Sequence, residues 1–413
     1  MPKVTPFKAI RPNSKVAPRV AALPYDVYNR KEAKAEVLRE PLSFLQIDRA
    51  ETLLDDSVDT YDPCVYAMAS KVLNDKIKDG TFIIEETPSY YLYELTMDGR
   101  SQTGFVACSS IDDYVSGAIK KHENTREEKE LDRISHVDIT NTHTGPIFLI
   151  YKTDNQLQEI MDRVKLTTPL NDFVSPDGIG HKTWIISDSS TVEAIEKAFD
   201  AIPCTYIADG HHRCASAVKV GLRRREKNPD YTGEEEYNRF LSVLFPEDQL
   251  YIMPYNRVVK DLNGLSKSDF LEKIQAAGFQ TEEKGTSPYS PCQKGTFGMY
   301  LDGIWYELKA KDSLFSTDPV KGLDVSILQD YLLEPVLGIS DPRVDSRIDF
   351  VGGIRGLGEL ERRAKEDMKI AFSMYPTSIE ELLSVADAGL LMPPKSTWFE
   401  PKLRSGLFLH SLS

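Results

Sequence analysis

Asp209, Gly210, His211, His212 and Arg213 are consecutive residues of the types that handle phosphate. An apolar run precedes them and an amphipathic stretch follows, so they occupy the turn between a strand and a helix. The free N–H groups and the positive dipole end at the start of a helix suit a bound phosphate. The residue types and their order therefore predict a phosphate-handling active site at this turn.

Each residue of the turn has a defined use in that chemistry. Gly210 lets the backbone turn sharply and approach a ligand closely. Arg213 can donate two parallel hydrogen bonds to phosphate oxygens, and Asp209 can accept a hydroxyl proton or hold Mg²⁺. The alternative is a capped helix whose histidines pack or face solvent. Two adjacent histidines beside an arginine and an acid favour the functional interpretation.

A second polar cluster spans residues 120–125, with the sequence Lys-Lys-His-Glu-Asn-Thr. The alternative to a functional role is a solvated charged run, an interpretation that fits residues 126–130. No second histidine follows at the spacing of an HExxH zinc helix. The residues with the strongest functional interpretation here are Lys121, His122, Glu123 and Arg133.

Two further loops present polar groups. Residues 141–146, Asn-Thr-His-Thr-Gly-Pro, lead into a buried strand, which is a common place for ligand-binding groups. Residues 392–399 present Lys395, Ser396 and Thr397 on a segment stiffened by prolines, as in an anion-binding loop, but without the glycines of a Walker loop. An ordinary turn and a packed terminal segment are equally compatible with these two patterns.

Shorter segments place single charges beside apolar runs, at residues 24–27, 44–49 and 254–257. Each could line a site, although a structural turn or a strand end is the simpler interpretation of each alone. The GxSxG elbow and the GxGxxG dinucleotide motif are both missing from the sequence. The glycines of residues 353–358 have the wrong spacing for a nucleotide site.

The hydrophobic pattern predicts the elements that must position these residues. Short apolar runs alternate with amphipathic stretches, which is typical of an α/β or mixed α+β fold. Residues 281–295, rich in Gly, Ser, Thr and Pro, are predicted as a surface loop. Helices are predicted at 62–80, 153–165, 190–200, 213–226, 266–276 and 324–337, strands at 90–95, 102–107, 146–151 and 205–208, and a hairpin at 295–308.

Length and composition limit the class of protein. The 413 residues suggest a catalytic region of 1–250 and a second region of 251–413. The net charge of −14 argues against general affinity for nucleic acid or anionic membrane, although a local basic pocket can still bind an anionic small molecule. The five scattered cysteines indicate reduced thiols. Without an apolar signal segment or roughly 18 consecutive apolar residues, a cytoplasmic protein is expected.

Four motifs, in this order, resemble a bacterial family known as domain-of-unknown-function family 1015. The resemblance covers essentially the whole chain, and its motifs lie at residues 24–27, 121–125, 208–213 and 392–402. The Asp-Gly-His-His-Arg element is also similar to that of the ParB/sulfiredoxin-like superfamily, which includes an archaeal ADP-dependent free serine kinase. The resemblance implies a ParB/sulfiredoxin-like catalytic core with an additional C-terminal α/β region.

Members of this family are similar to pyrophosphate-dependent serine kinases. The resemblance therefore implies phosphoryl transfer from pyrophosphate to free L-serine, giving O-phosphoserine and phosphate, with Mg²⁺ as cofactor. Of the residues with implied roles, Asp209, Glu123 and His211 are catalytic, and Asp209 is also the metal ligand. Those that bind phosphate are Gly210, His212, Arg213, Lys121, Arg133, Lys395, Ser396 and Thr397, and those that bind substrate are His122, Asn124, Thr125, Asn141 and Arg257.

Other functions remain open at the level of sequence. A serine kinase that uses ATP or ADP and a phosphatase acting on phosphoserine would need the same groups. A ParB-type nucleic-acid-binding or nuclease protein is disfavoured by the net charge of −14. A regulatory protein that senses serine or phosphate would bind both without turnover. The oligomeric state is also left open, a homodimer included.

Overall fold

The computed structural model describes residues 1–125 and 127–413, so Arg126, the first residue of the predicted charged run, lies outside the described residues. The chain forms two compact units, Met1–Leu250 with Pro401–Ser413, and Tyr251–Glu400. The expected second region of 251–413 is therefore corrected at its end. Residues 401–413 belong with the first unit, because the last strand pairs with two strands of that unit.

The first unit is an α/β structure, as expected. Its strands are β1 (Val4–Thr5), β2 (Ala9–Pro12), β3 (Phe82–Ile84), β4 (Tyr90–Met97), β5 (Arg100–Ser110), β6 (Ile119–Lys120), β7 (Thr142–His143), β8 (Ile147–Tyr151), β9 (Asn171–Val174), β10 (Gly180–Ile186), β11 (Thr205–Asp209) and β12 (Arg239–Pro246). Its helices are α1 (Ala17–Val20), α2 (Arg30–Arg39), α3 (Leu45–Asp48), α4 (Pro63–Lys78), α5 (Ile111–Ser116), α6 (Glu127–Thr140), α7 (Asn155–Lys165), α8 (Ser189–Asp200) and α9 (His211–Lys227).

The main sheet of this unit is mixed, with the strand order β6-β11-β8-β12-β5-β4-β10-β9, and β1 pairs with β5. Strands β6 and β11 run parallel, with Thr205 opposite Ile119 and Tyr206 opposite Lys120. Because parallel strands end at the same edge of a sheet, the chain leaves β6 and β11 side by side. This pairing brings together the polar clusters at residues 120–125 and 209–213.

Helix α9 begins at the end of β11 and is longer than predicted. Its first residue is His211 rather than residue 213, because Gly210 adopts a left-handed conformation and caps the helix. Cys214, Ala217 and Val218 of α9 pack into the apolar core beneath the sheet. Burial of this face against β12 and β8 fixes the helix beside the strand ends.

The second unit is built around a sheet with the strand order β15-β17-β16-β19-β14-β18. Its strands are β13 (Ile252–Met253), β14 (Tyr255–Val259), β15 (Phe279–Gly285), β16 (Thr296–Leu301), β17 (Ile304–Ala310), β18 (Ile348–Gly352), β19 (Ile370–Met374) and β20 (Trp398–Phe399), and its helices are α10 (Lys267–Ala276), α11 (Asp324–Leu328), α12 (Gly356–Glu366) and α13 (Ile379–Asp387). The final strand, β21 (Leu409–Ser411), belongs to the first unit and pairs with β2 and β7.

Two predictions in the second unit need correction. Residues 281–285 were expected in a surface loop but form most of β15, an edge strand that pairs with β17 alone among the described strands. An edge strand buries little of its surface, so the segment Gln280–Lys284 is polar. It therefore lacks the apolar pattern from which a strand is predicted. The helix predicted at 324–337 is α11 followed by a π-helical turn, Gln329–Leu333. Across the described residues, none of the helices has the length and apolar character needed to cross a bilayer.

Candidate active site

The turn between β11 and α9 has a backbone conformation that lets the side chain of Arg213 lie close to Gly210. Gly210 has φ of 91°, a conformation that residues with a Cβ rarely adopt. A Cβ on Gly210 would lie 3.1 Å from Nε of Arg213. Glycine is therefore needed both for the conformation and for the arginine that folds back over it.

Arg213 is held in place by two oxygens. Its Nη1 donates to the carbonyl oxygen of Pro146 at 2.6 Å, and its Nη2 donates to Oδ2 of Asp209 at 3.1 Å. The other carboxylate oxygen of Asp209 lies 3.8 Å from Nζ of Lys402. Two cations thus flank a half-exposed carboxylate, which gives this edge of the sheet the positive charge that a phosphoryl group requires.

Lys402 is absent from the predicted site residues. It lies in the segment that returns to the first unit after residue 400. The motif at residues 392–402 includes it. Its proximity to Asp209 depends on a contact across 193 residues of sequence, which no local pattern reveals.

The cluster after β6 meets the same turn. The imidazole rings of His122 and His211 lie edge to face, with centroids 4.5 Å apart. Both rings are almost completely buried. The two parallel strands therefore bring together residues that are 89 positions apart in the sequence.

Burial decides the charge of these two histidines. It lowers the pKa of His122 to about 4. Burial also holds the pKa of His211 well below its usual value, and the neighbouring His122 lowers it further. Both imidazoles are thus neutral near pH 7. They offer hydrogen bonds or lone pairs rather than charge. Arg213, Lys402 and Lys121 are cations at this end of the two strands.

His122, Glu123 and His211 form the group best suited to a metal ion among the described residues. One potential ligand atom from each lies within 4.8 Å of the others. Two imidazoles and one carboxylate suit a transition metal, whereas Mg²⁺ prefers oxygen ligands. The carboxylate of Asp209 already faces Arg213 and Lys402. Among the described residues, this group therefore suits a transition metal better than Mg²⁺, and the metal role of Asp209 stays a prediction.

The remaining residues of the cluster surround this centre. Lys121 is exposed, and its ammonium lies 5.8 Å from the ring centroid of Tyr114. Thr125 donates its hydroxyl hydrogen to Glu130, which also pairs with Lys219 of α9. Asn124 is exposed beside them. These contacts fasten the loop after β6 to the helix that carries His211 and Arg213.

Arg133 occupies a more enclosed position than the turn between β11 and α9. Its guanidinium stacks over the ring of Tyr25, 3.9 Å from the centroid, and Nη2 lies 2.8 Å from the Asp132 carboxylate. Asn141 lies elsewhere, because its side-chain oxygen accepts from Arg224 at 2.6 Å. Arg224 is 13 residues beyond His211 on α9, or roughly 20 Å along the helix. This contact ties Asn141 to a later part of α9, and its substrate role stays a prediction.

The other predicted site residues belong to the second unit. Ser396 is buried and donates to the carbonyl oxygen of Pro393 at 2.6 Å. Lys395 has φ of 58°, and its ammonium lies 5.6 Å from the ring of Tyr255. Arg257 donates to the carbonyl oxygen of Lys395 at 3.1 Å, and burial lowers its pKa to about 10. The phosphate role of Lys395, Ser396 and Thr397 and the substrate role of Arg257 stay predictions.

The chain belongs to the family described as "Protein of unknown function (DUF1015)", whose sequence model matches residues 4–326. Comparison with curated proteins gives no match.

Several solved structures are distantly similar. A free serine kinase in complex with AMP has 15% identity and a TM-score of 0.35, over 72% of this chain and 90% of that chain. A conserved hypothetical protein from Pyrococcus furiosus has 14% identity and a TM-score of 0.35, over 73% and 94%. SbnI from Staphylococcus aureus, truncated at its C-terminus, has 11% identity and a TM-score of 0.39, over 74% and 87%. Likenesses this distant assign no function to the chain.

Proposed function

We propose that this member of the family is a phosphotransferase that moves a phosphoryl group from pyrophosphate to the hydroxyl of free L-serine. The observation that carries the proposal is the parallel pairing of β6 and β11. This pairing places a carboxylate from each loop, a helix N-terminus and basic side chains at one edge of the sheet. Phosphoryl transfer needs these parts, namely charge around the moving group and a base near the attacking hydroxyl.

In the proposed reaction the serine oxygen attacks one phosphorus of pyrophosphate. The bond from that phosphorus to the bridging oxygen breaks, and inorganic phosphate leaves. The hydroxyl proton passes to Asp209, and Glu123 shares the work of accepting it or orients the serine amine. The products are O-phosphoserine and phosphate, so atoms and charge balance.

The donor phosphates would bind at the N-terminus of α9. The N–H groups and the positive dipole end of a helix N-terminus attract anions, and Arg213 and Lys121 add formal charge. His211 and His212 follow Gly210 directly. The neutral His211 would contribute a hydrogen bond to a phosphate oxygen or to the attacking hydroxyl. Mg²⁺ would be held mainly by the phosphates and would neutralise part of their charge. Glu123 and Asp209 are the carboxylates that the two loops would offer to the ion.

The choice of pyrophosphate over a nucleotide rests on the family resemblance and on what the sequence lacks. Neither a Walker loop nor a kinase glycine-rich loop is present to cover the phosphates of a nucleotide. Pyrophosphate is small and highly charged, so it requires a compact basic site. Lysine and arginine side chains of the two loops could supply that site.

The test is phosphorus NMR of the purified protein with Mg²⁺ and L-serine, with pyrophosphate, ADP or ATP in separate tubes. The expected result is a phosphoserine signal with pyrophosphate alone. A signal with a nucleotide alone would replace the donor and retain the serine kinase. The absence of phosphoserine from every tube would contradict the proposed function. Asp209→Asn should lose the phosphoserine signal. Asp172→Asn, an exposed change on β9, is its control and should keep the signal.

A further inference from the structure

A polar cavity of about 180 Å³ lies in the first unit, beside the segment that follows α3. This is many times the roughly 10–15 Å³ that one water molecule requires on this measure. A smaller neighbouring cavity of about 20 Å³ shares several lining residues and also reaches Arg213. The residues common to both are Tyr25, Asp48, Arg133 and His136. The two cavities therefore share part of their walls, and the smaller one reaches Arg213.

Asp48 is a buried carboxylate in the walls of both cavities. Its side chain is 5% exposed. It accepts a hydrogen bond of 2.8 Å from the hydroxyl of Thr144, and it forms no ion pair with any described residue. Burying a carboxylate without an ion-pair partner is costly. The charge of Arg133 compensates part of this cost without forming an ion pair, and a cationic group of a bound molecule would offset more of it.

Arg133 offers the complementary charge. It is 7% exposed and lies on α6, with its guanidinium over the ring of Tyr25. Its Nε and Nη2 lie 2.9 and 2.8 Å from the carboxylate of Asp132, which also accepts from Tyr66 at 3.0 Å. Within the described chain, Nη1 of Arg133 has no hydrogen-bond partner. One edge of the guanidinium is thus fixed by the protein, and the other remains for an anion.

The surrounding groups are held rigidly. Arg49 pairs with Glu51 at 2.6 Å and donates to the carbonyl oxygens of Tyr25 and Tyr28 at 2.9 and 2.6 Å. The Nε2 of His136 lies 3.0 Å from the carbonyl oxygen of Ile47. Burial lowers the pKa of His136, and the charge of Arg133 lowers it further. A neutral ring that donates from Nε2 leaves Nδ1 as an acceptor.

We infer that this cavity binds the acceptor as a free amino-acid zwitterion, with Asp48 on the ammonium and Arg133 on the carboxylate. The hydroxyl then extends toward Arg213, where the phosphoryl group arrives. The inference rests on the proposed function for the identity of the acceptor, and it changes the part of Arg133 from phosphate binding to carboxylate binding. Recognition of both charged ends explains why a free amino acid, rather than a serine within a peptide, would be selected.

The test is isothermal titration calorimetry without a phosphoryl donor, using L-serine, ethanolamine, glycerate and N-acetylserine. Only L-serine carries the ammonium, the carboxylate and the hydroxyl together. We expect L-serine to bind and each analogue that lacks one charge to bind roughly tenfold or more weakly. Equal binding of L-serine and ethanolamine, or of L-serine and glycerate, would overturn the inference.

Variants locate the binding to this cavity. Asp48→Asn and Arg133→Met should each weaken L-serine roughly tenfold or more and leave pyrophosphate binding unchanged. Asp172→Asn and Arg163→Met, both on exposed surface, are the matched controls. Arg133→Lys keeps the positive charge and removes the planar guanidinium group. Its affinity for L-serine tests the role of Arg133 if Arg133→Met does not fold. Thermal unfolding of every variant checks the fold.

The two proposals fail in different ways. If phosphoserine forms but Asp48→Asn and Arg133→Lys leave the KM for L-serine unchanged, the cavity assignment is wrong and the kinase stands. The same holds if these variants weaken pyrophosphate and L-serine equally. If no donor gives phosphoserine but L-serine binding still depends on Asp48 and Arg133, the cavity assignment stands and the kinase is wrong.

Discussion

The turn after β11 and the loop at residues 392–399 have similar polar compositions but use their side chains differently. At the turn, Arg213 and Lys402 leave Asp209 half exposed between two cations. In the loop, the hydroxyl of Ser396 is buried and satisfied by the carbonyl oxygen of Pro393. Polar residue types alone therefore do not mark a reactive site. A site also needs charged groups that stay accessible to a ligand, as the half-exposed carboxylate of Asp209 does.

The largest effect is expected from Arg213→Lys. Lysine keeps the charge but cannot reach both Pro146 and Asp209 while contacting phosphate, so kcat/KM should fall roughly 10²-fold. Arg225→Lys is the matched control, because Arg225 also donates from both terminal nitrogens, in its case to Asp112, near the other end of α9. A similar loss in both variants would show that the guanidinium matters for stability rather than for phosphate. Steady-state kinetics with pyrophosphate and L-serine measure the difference.

The pH dependence of stability should report on the buried histidines. The pKa of His122 is about 4 in the folded state, below its ordinary value of 6.5. The unfolded chain therefore binds more protons between pH 6.5 and 4, and the free energy of unfolding falls as the pH is lowered through this range. The loss from His122 is on the order of 3 kcal/mol.

Urea denaturation at several pH values checks this dependence. His122→Asn should flatten the decline, since the substituted residue does not titrate. An unchanged slope in this variant would mean that His122 is not buried as a neutral ring. His211 should act in the same direction, because its pKa is also lowered by burial.

Gly210→Ala separates backbone strain from displacement of Arg213. The added Cβ forces an unfavourable left-handed conformation, at a cost of about 1–2 kcal/mol. Gly233→Ala is the control, because Gly233 has φ of 94° but open space around its Cβ position. Both variants should lose similar stability, and Gly210→Ala alone should lose activity. Equal activities in the two variants would show that the position of Arg213 is not critical.

The smallest effect is expected from Ser396→Ala. Loss of one satisfied hydrogen bond should reduce the free energy of unfolding by about 1 kcal/mol and leave the KM for pyrophosphate unchanged. A large rise in that KM would instead support the predicted phosphate role of Ser396. It would also break the contrast between the two loops. Thermal unfolding and kinetics on the same preparation give both values.

Local pattern predicts much of this site. The strand at residues 205–208 and the helix after it follow from apolar runs and amphipathic spacing, and the structure extends them to Asp209 and back to His211. The strand pair of β4 and β5 was expected for the same reason. Such elements depend on neighbours within a few residues, which the sequence displays directly.

Long-range pairing was not predictable. Strand β6 has only two residues, Ile119 and Lys120, so its apolar pattern is too short to recognise. Its parallel partner lies 86 residues away. The return of residues 401–413 to the first unit, which brings Lys402 to Asp209, is a contact of the same kind. In the sequence, Asp48 is only a charge beside an apolar run, because its burial depends on packing between distant segments.

The central claim is that the loops after β6 and β11 form one catalytic unit. A double-mutant cycle with Glu123→Gln and Asp209→Asn tests it, using single-turnover formation of phosphoserine as the readout. Groups that act together show strongly non-additive losses. We predict that the double variant is little slower than the slower single variant. Losses that multiply would show that the two carboxylates act independently and would contradict a shared site.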